Sequence, residues 1–306
     1  MKGVAAAPGA GTVLNALATH TGAAFGIDVD TTATVELDSS DGVDGEIATA
    51  PDGDTRLIER CVELITDRFG DGEGGTVRTE SEVPMAAGLK SSSAAANATI
   101  LATLAALGVD VVDPAGKREL DGEPAATAAT TPVDEITALD ACRIGVEAAR
   151  DVGVTITGAF DDAAASMTGD VVVTDNDTDE LLARSTRDWE VLVWTPPERA
   201  YSADADVDRC QDIAEMAELV EELALAGRFG EAMTVNGLAY SAALGFSTEP
   251  AVEAMGHAEG VSLSGTGPSV VAVGDSEPLA AVREQWAARD GQLIETTTQT
   301  QGARIR

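Results

Sequence analysis

Hydrophobic and polar positions alternate from Thr31 to Leu37, as on a half-buried strand, and recur at helical spacing from Leu57 to Phe69, with charges on the opposite face. Gly70 and the acidic, Gly-rich segment behind it stop that helix. Upstream, Gly3 to Ala7 predicts a short apolar strand running into a tight small-residue loop, Pro8-Gly9-Ala10-Gly11-Thr12, and Ala23 to Asp28 predicts a second β run. Asp, Gly and Ser dominate between Asp38 and Asp54, which predicts surface turns. Thr76 to Val83 reads as a strand that feeds Pro84-Met85-Ala86-Ala87-Gly88-Leu89-Lys90-Ser91-Ser92-Ser93. The Ala/Leu/Ile-rich helix that follows is apolar enough to be buried, runs to about Leu107 and ends at Gly108.

Residues 108–131 show no clear period and read as a long surface excursion. Thr131-Pro132-Val133-Asp134 then reads as the cap, N1 proline and acidic first turn of a helix carrying Leu139 to Ala149. Beyond Thr168 short strands and helices alternate. Strands are expected from Val171 to Thr174, Glu190 to Thr195, Val261 to Ser264, Ser269 to Val273 and Leu293 to Thr297. Helices are expected from Asp206 to Ala226, Phe229 to Leu244, Glu249 to Ala258 and Pro278 to Arg289. The predicted class is α+β in two domains, residues 1–168 and 169–306.

Charge changes this picture most. The chain carries 53 Asp and Glu against 19 Lys and Arg, a formal net charge of −34, and its three lysines are Lys2, Lys90 and Lys117. Such a field repels nucleic acid and anionic membranes. With 44% hydrophobic residues the chain is globular all the same, and the acidic surface is that of a protein suited to high salt, where a Debye length of about 3 Å screens self-repulsion. Aromatics are 3%, so Ala, Val, Leu and Ile must build the core. Cys61, Cys142 and Cys210 are odd in number and lack CxxC spacing, which points to neither a disulfide framework nor a zinc site; His20 and His257 lie far apart. No signal-peptide core or bilayer-length apolar run is present, so a cytoplasmic protein is expected.

Two stretches carry candidate chemistry. From Val83 to Asn97 a strand turns through Pro84 and Gly88, presents three serines and becomes a helix, the layout of an anion cradle. A plain Ser-capped helix has the same layout, and the Walker pattern is absent. From Thr155 to Ser166, Asp161 and Asp162 lie in a Gly/Ala-rich setting where a carboxylate can accept a proton or hold a cation, or simply form an acidic first helical turn.

Pro8-Gly9-Ala10-Gly11-Thr12, the Pro84 to Ser93 loop and Ser264-Gly265-Thr266-Gly267-Pro268-Ser269, in that order and spacing, resemble the GHMP kinase superfamily of galactokinase, homoserine kinase, mevalonate kinase and relatives, over essentially the whole chain. Gly88 to Asn97, Thr157-Gly158-Ala159-Phe160-Asp161-Asp162-Ala163 and Ala23 to Asp28 are similar to one branch, the archaeal-type shikimate kinases. The resemblance implies a ribosomal-protein-like N-terminal domain, a ferredoxin-like C-terminal domain, ATP, Mg2+ and shikimate as small-molecule partners, and phosphoryl transfer to the shikimate 3-hydroxyl. It implies that Pro84, Ala86, Ala87, Gly88, Leu89, Lys90, Ser91, Ser92, Ser93 and Ala94 hold the triphosphate, with Ser91 or Ser92 reaching Mg2+ and Glu147 near the magnesium-binding glutamate. Asp161 matches the catalytic base, and Gly11, Thr12, Ser264, Gly265, Thr266 and Gly267 fall where substrate is positioned. Three positions depart from the pattern: Ala86 and Lys90 stand where most relatives carry glycine, and Ala10 where mevalonate kinase-like members carry lysine. Lys90 is therefore expected to supply the cation that phosphoryl transfer needs. Homoserine kinases share the late turn and are the alternative within the superfamily; a catalytically silent nucleotide-binding regulator is the alternative outside enzymes.

Overall fold

The computed structural model describes residues 1–83, 87–112, 135–155, 157–198 and 205–306. The expectations for Pro84, Ala86, Lys117 and the Thr131-Pro132-Val133-Asp134 cap fall outside them.

The first sheet is built on two long antiparallel strands, β1 (Lys2–Leu14) and β2 (Thr21–Asp38). The small-residue stretch Pro8 to Thr12, expected as a loop, is the middle of β1. Glycine there answers a packing need: a Cβ on Gly11 would lie 2.5 Å from the Phe25 ring across the pair. The ladder slips between Pro8 and Gly9, a bulge that accommodates the proline. β3 (Val43–Ile47) lies in the stretch expected as surface turns and runs parallel to β4 (Gly74–Ser81), which pairs with the second half of β2.

Four helices cover one face. α1 (Arg56–Phe69) ends at Gly70, and α2 (Ser91–Leu107) ends at the left-handed Gly108, both as their sequences predict. In α2 the run from Ala96 to Leu104 is buried throughout, with Asn97, Thr99 and Thr103 enclosed among its Ala, Ile and Leu residues. Truncating a side chain such as Leu104, fully enclosed there, costs ~2–5 kcal/mol. β5 (Asp110–Val112) and β6 (Glu135–Thr137) form a small parallel pair, after which come α3 (Ala138–Asp151) and α4 (Phe160–Thr168). Thr137 caps α3, its side chain accepting from Asp140 N–H.

β7 (Val171–Asp175) pairs with the first half of β2, and β8 (Glu180–Ser185) pairs with β7. The hairpin therefore belongs to the first sheet, and the division expected after residue 168 falls too early. The second sheet begins with β9 (Glu190–Thr195). The expected single helix from Asp206 to Ala226 is two, α5 (Val207–Gln211) and α6 (Ala214–Leu225), followed by α7 (Phe229–Leu244) and a short α8 (Glu249–Ala254). β10 (Gly260–Leu263), β11 (Val270–Gly274), α9 (Ser276–Ala287) and β12 (Gln292–Thr297) complete the sheet in the order β10-β11-β9-β12, all antiparallel.

Strand alternation gives this sheet two apolar faces. Leu192, Val270 and Ala272 pack with Leu279, Val282 and Trp286 of α9. Val191, Val193 and Val271 pack with Met233 and Tyr240 of α7 and with Leu14, Phe25 and Ile27 of the first sheet, so one core spans the two sheets. The chain then returns. Gln299 N–H donates to Gly26 O, Ala303 N–H to Met167 O, and β13 (Arg304–Ile305) pairs with β1. Arg304 and Arg306 both reach the Asp30 carboxylate.

Candidate active site

The site lies where the first turns of α2 and α4 meet the Ser264 to Ser269 turn of the second sheet. Lys90 precedes α2 with φ 63°, and Ala159 precedes α4 with φ 51°, so each helix is launched from a left-handed residue that is not glycine. Such conformations cost of order 1–3 kcal/mol and gather at functional sites. At residue 90 this explains why glycine suits the position. Lys90 tolerates it because its ammonium is held: Nζ lies 2.8 Å from Asp162 Oδ1, with both side chains largely buried.

No side chain caps α2 and no acidic residue sits in its first turn. Ser91 and Ser93 are half-buried, Ser92 is exposed and Ala94 is enclosed. The peptide N–H groups of this turn, with the helix dipole behind them, have the chemistry that suits an anion. The two preceding loops are locked together. Ser264 Oγ donates to Gly88 O at 2.9 Å, Ala10 N–H donates to Leu89 O, and Gly265 N–H donates to Thr12 Oγ1 at 2.8 Å. Gly88 has φ +74°, and a Cβ on it would sit 2.1 Å from Ser264 O; a Cβ on Gly265 would lie 2.9 Å from Lys90 Nζ. Asn15 Nδ2 donates to Gly265 O, Asn15 N–H donates to Asn236 Oδ1, and Asn236 Nδ2 donates to Ser262 Oγ, so a buried amide chain carries the turn's position into the second sheet.

Asp161 occupies the first turn of α4 and is 4% exposed. Its Oδ1 accepts from Asn176 Nδ2 at 2.8 Å, and its own N–H donates to Asn176 Oδ1 at 3.2 Å. Thr174 Oγ1 donates to the same Asn176 Oδ1 at 2.8 Å. Burial, and then the neighbouring Asp162 charge, push the Asp161 carboxyl up to about 7, against the opposing pull of Lys90, the Asn176 amide and the Asp162 N–H. One level deeper, Asn97 of α2 donates through Nδ2 to Ala163 O at 2.8 Å and binds the two helices to each other.

The structure thus brings together Thr12, Gly88, Lys90, Asp161, Ser264 and Gly265. It does not bring Glu147 to them. That carboxylate lies on α3, half-exposed, in a two-oxygen pair with Arg68 of α1 at 2.6 Å, so the expected metal role is withdrawn. Gly11 serves packing against Phe25, and Thr12 is a buried tie between the sheets. The three cysteines are buried and free. His20 pairs with Asp177 at the surface. Sequence reasoning missed Asn176, which sits among acidic residues in what reads as an ordinary turn, and missed that Asp162 is the partner of Lys90. Among the described residues no group of three or more His, Cys, Asp or Glu is placed to hold a metal, and no helix is long and apolar enough to cross a membrane.

Residues 56–120 match the family model of the GHMP kinases N terminal domain and residues 215–291 that of the GHMP kinases C terminal domain. A shikimate kinase of Halobacterium salinarum is 59% identical over 305 residues, 99% of each chain. One from Methanosarcina mazei is 47% identical over 307 residues, 99% of this chain and 96% of that one. Among solved structures, a homoserine kinase from Cytophaga hutchinsonii superposes with a TM-score of 0.73 at 15% identity, covering 100% of this chain and 97% of that one. The Methanococcus jannaschii mevalonate kinase gives 0.73 at 13% identity, with 97% and 98% covered.

Proposed function

This chain belongs to the shikimate kinases of the GHMP kinase superfamily, and we propose that the junction of α2, α4 and the late turn carries out its reaction with Asp161 as base. The enzyme is an ATP-dependent small-molecule kinase that phosphorylates the 3-hydroxyl of shikimate, giving shikimate 3-phosphate and ADP on the way to chorismate. The observation that carries the assignment of roles is the Asp161 environment: a buried carboxyl raised toward neutrality beside an uncapped helix N-terminus and a held lysine.

In this reading the triphosphate lies against the first turn of α2, from Gly88 to Ala94, where peptide N–H groups and the helix dipole meet its charge. Lys90 adds a point cation for the migrating phosphoryl group, oriented by Asp162. Asp161 takes the hydroxyl proton as the oxygen attacks, and Asp162, already paired with Lys90, does not compete for that role. Ser264, Gly265, Thr266 and Gly267 approach from the second sheet and position the substrate against the phosphate loop.

Mg2+ is a hard cation that keeps several waters and is held largely by substrate phosphates. The exposed Ser92, on the first turn of α2, carries a hydroxyl of the kind it takes. When bound, it neutralises charge on the phosphate oxygens. The acidic chain works in the cytoplasm, without nucleic-acid or membrane partners. A coupled ADP-release assay in molar KCl, with shikimate and homoserine side by side, tests the reading. ADP release with shikimate alone is expected; comparable turnover with homoserine, or none with either, overturns it.

A further inference from the structure

Resting on the reading of Asp161 as base, we infer that Asn176 is its positioning residue: the amide reserves Oδ1 as an acceptor and so directs the substrate's proton onto Oδ2. The chemistry of the contacts fixes which way the amide points. One of its end atoms faces the Asp161 N–H at 3.2 Å, and a peptide N–H only donates, so that atom is the oxygen. The same atom accepts from Thr174 Oγ1 at 2.8 Å. The other end is then the NH2 group, which donates to Asp161 Oδ1 at 2.8 Å. A proton on the Oδ1 lone pair that faces this N–H would set two hydrogens against each other.

Oδ2 is different. Oδ2 and Cγ pack on the β2 backbone at Gly22, where a Cβ would lie 2.6 Å and 2.4 Å from them, so glycine there is what leaves the carboxylate room. During transfer the substrate O–H bond breaks and its proton goes to Oδ2. The freed oxygen pair forms the bond to the γ-phosphorus, and the bond from that phosphorus to the bridging oxygen breaks, leaving ADP with the electron pair.

The backbone of Asn176 is held independently of its side chain. Its N–H donates to His20 O at 3.0 Å, and its carbonyl accepts from Arg150 Nη2 at 3.1 Å. Thr174 and Asn176 are both fully enclosed. The charged groups around Asp161 are Asp162 on its own helix and Lys90 ahead of α2; beyond them are the Arg150–Asp179 pair on α3 and the β7–β8 turn, and the His20–Asp177 pair at the surface. Substituting Asn176 leaves all of these charges in place, so a change in the Asp161 titration reports the amide itself.

The test is the pH profile of kcat/KM for shikimate in molar KCl, for Asn176→Leu and Thr174→Val beside the wild type, with ATP affinity measured separately. Asn176→Leu should move the acid limb up by about one pH unit, so the loss is about tenfold at pH 6 and nearly vanishes by pH 9, while ATP affinity changes less than twofold. Thr174→Val, which frees the amide oxygen of one of its two donors, should move the limb the same way by less. If Asn176→Leu does not fold, Thr174→Val decides alone. A loss equal at every pH, or an unmoved acid limb, overturns the positioning role. Failure of the parent reading looks different: Asp161→Asn would then retain turnover, whatever Asn176 does.

Discussion

Lys90 and Asp162 hold each other 2.8 Å apart across the first turns of two helices, each of which starts from a residue in a left-handed conformation. The pair resolves an oddity of the chain, a lysine where a glycine would fit the backbone better. The conformational cost is met by a largely buried ion pair, and an ammonium stands next to a helix N-terminus that no side chain caps.

Lys90→Ala and Lys90→Gly separate these two effects. Both should lower turnover by orders of magnitude, since both remove the cation. Lys90→Gly should melt above Lys90→Ala, because glycine meets φ 63° without the ~1 kcal/mol or more of left-handed strain. Asp162 is left unpaired in both, so both should melt below wild type. A fall in turnover of less than about threefold, ~0.7 kcal/mol, would show that the cation is dispensable.

Asp161→Asn should abolish turnover with little change in ATP binding. Its amide can still accept from Asn176, so the fold is kept, and calorimetry at pH 8 should find a melting temperature at or above that of wild type. Full activity in this variant would remove Asp161 from the base role.

The pH dependence follows from the raised carboxyl. A base titrating near 7 gains activity as pH rises, so kcat/KM should climb about tenfold per pH unit below that value and level off above it. Stability runs the other way. A folded pKa above the unfolded ~3.9 means the native state binds the proton more tightly. The contribution is full below the unfolded value and is lost as pH rises through the folded one. From pH 4 to 7 wild type should therefore lose stability relative to Asp161→Asn, as read from urea midpoints. Asp162→Asn removes a neighbouring charge and should shift the activity limb to lower pH.

Gly88→Ala should uncouple the phosphate loop from the second sheet. Its Cβ would lie 2.1 Å from Ser264 O, in a conformation only glycine adopts freely. A stability loss of ~1–3 kcal/mol and at least a tenfold loss of ADP formation are expected.

A net charge of −34 predicts strong salt dependence. The urea midpoint should rise steeply with KCl toward molar concentrations and then flatten as screening saturates. A midpoint insensitive to salt would contradict this.

Much of the fold was readable wherever one segment's own pattern decided its state. α1, α2 and α7 declare their ends through periodicity and a terminal glycine. What was hidden depended on partners remote in sequence. The Pro8 to Thr12 stretch reads as a loop because its glycines are chosen by Phe25 across the ladder, which no local rule reveals. β8 and β13 exist because β7 and β1 stand beside them. In the site, Glu147 was suggested by the family resemblance, which puts it near the magnesium-binding glutamate, and excluded by the face of α3 it occupies. Asn176 was invisible for the opposite reason, since an asparagine among aspartates in a turn looks like surface until its buried partners are seen.

The return of β13 to β1 has a consequence for how the two sheets can move. The second sheet leaves the first after β8 and rejoins it before the C-terminus, so it is an insertion anchored at both ends rather than a tail on one hinge. Two tethers, together with the core shared between the sheets, hold the second sheet to the first, and the Arg304 and Arg306 grip on Asp30 secures one of them. Removing the last three residues would take away the β13 pairing and both arginine contacts, and leave the Gln299 and Ala303 hydrogen bonds to keep the chain's return in place.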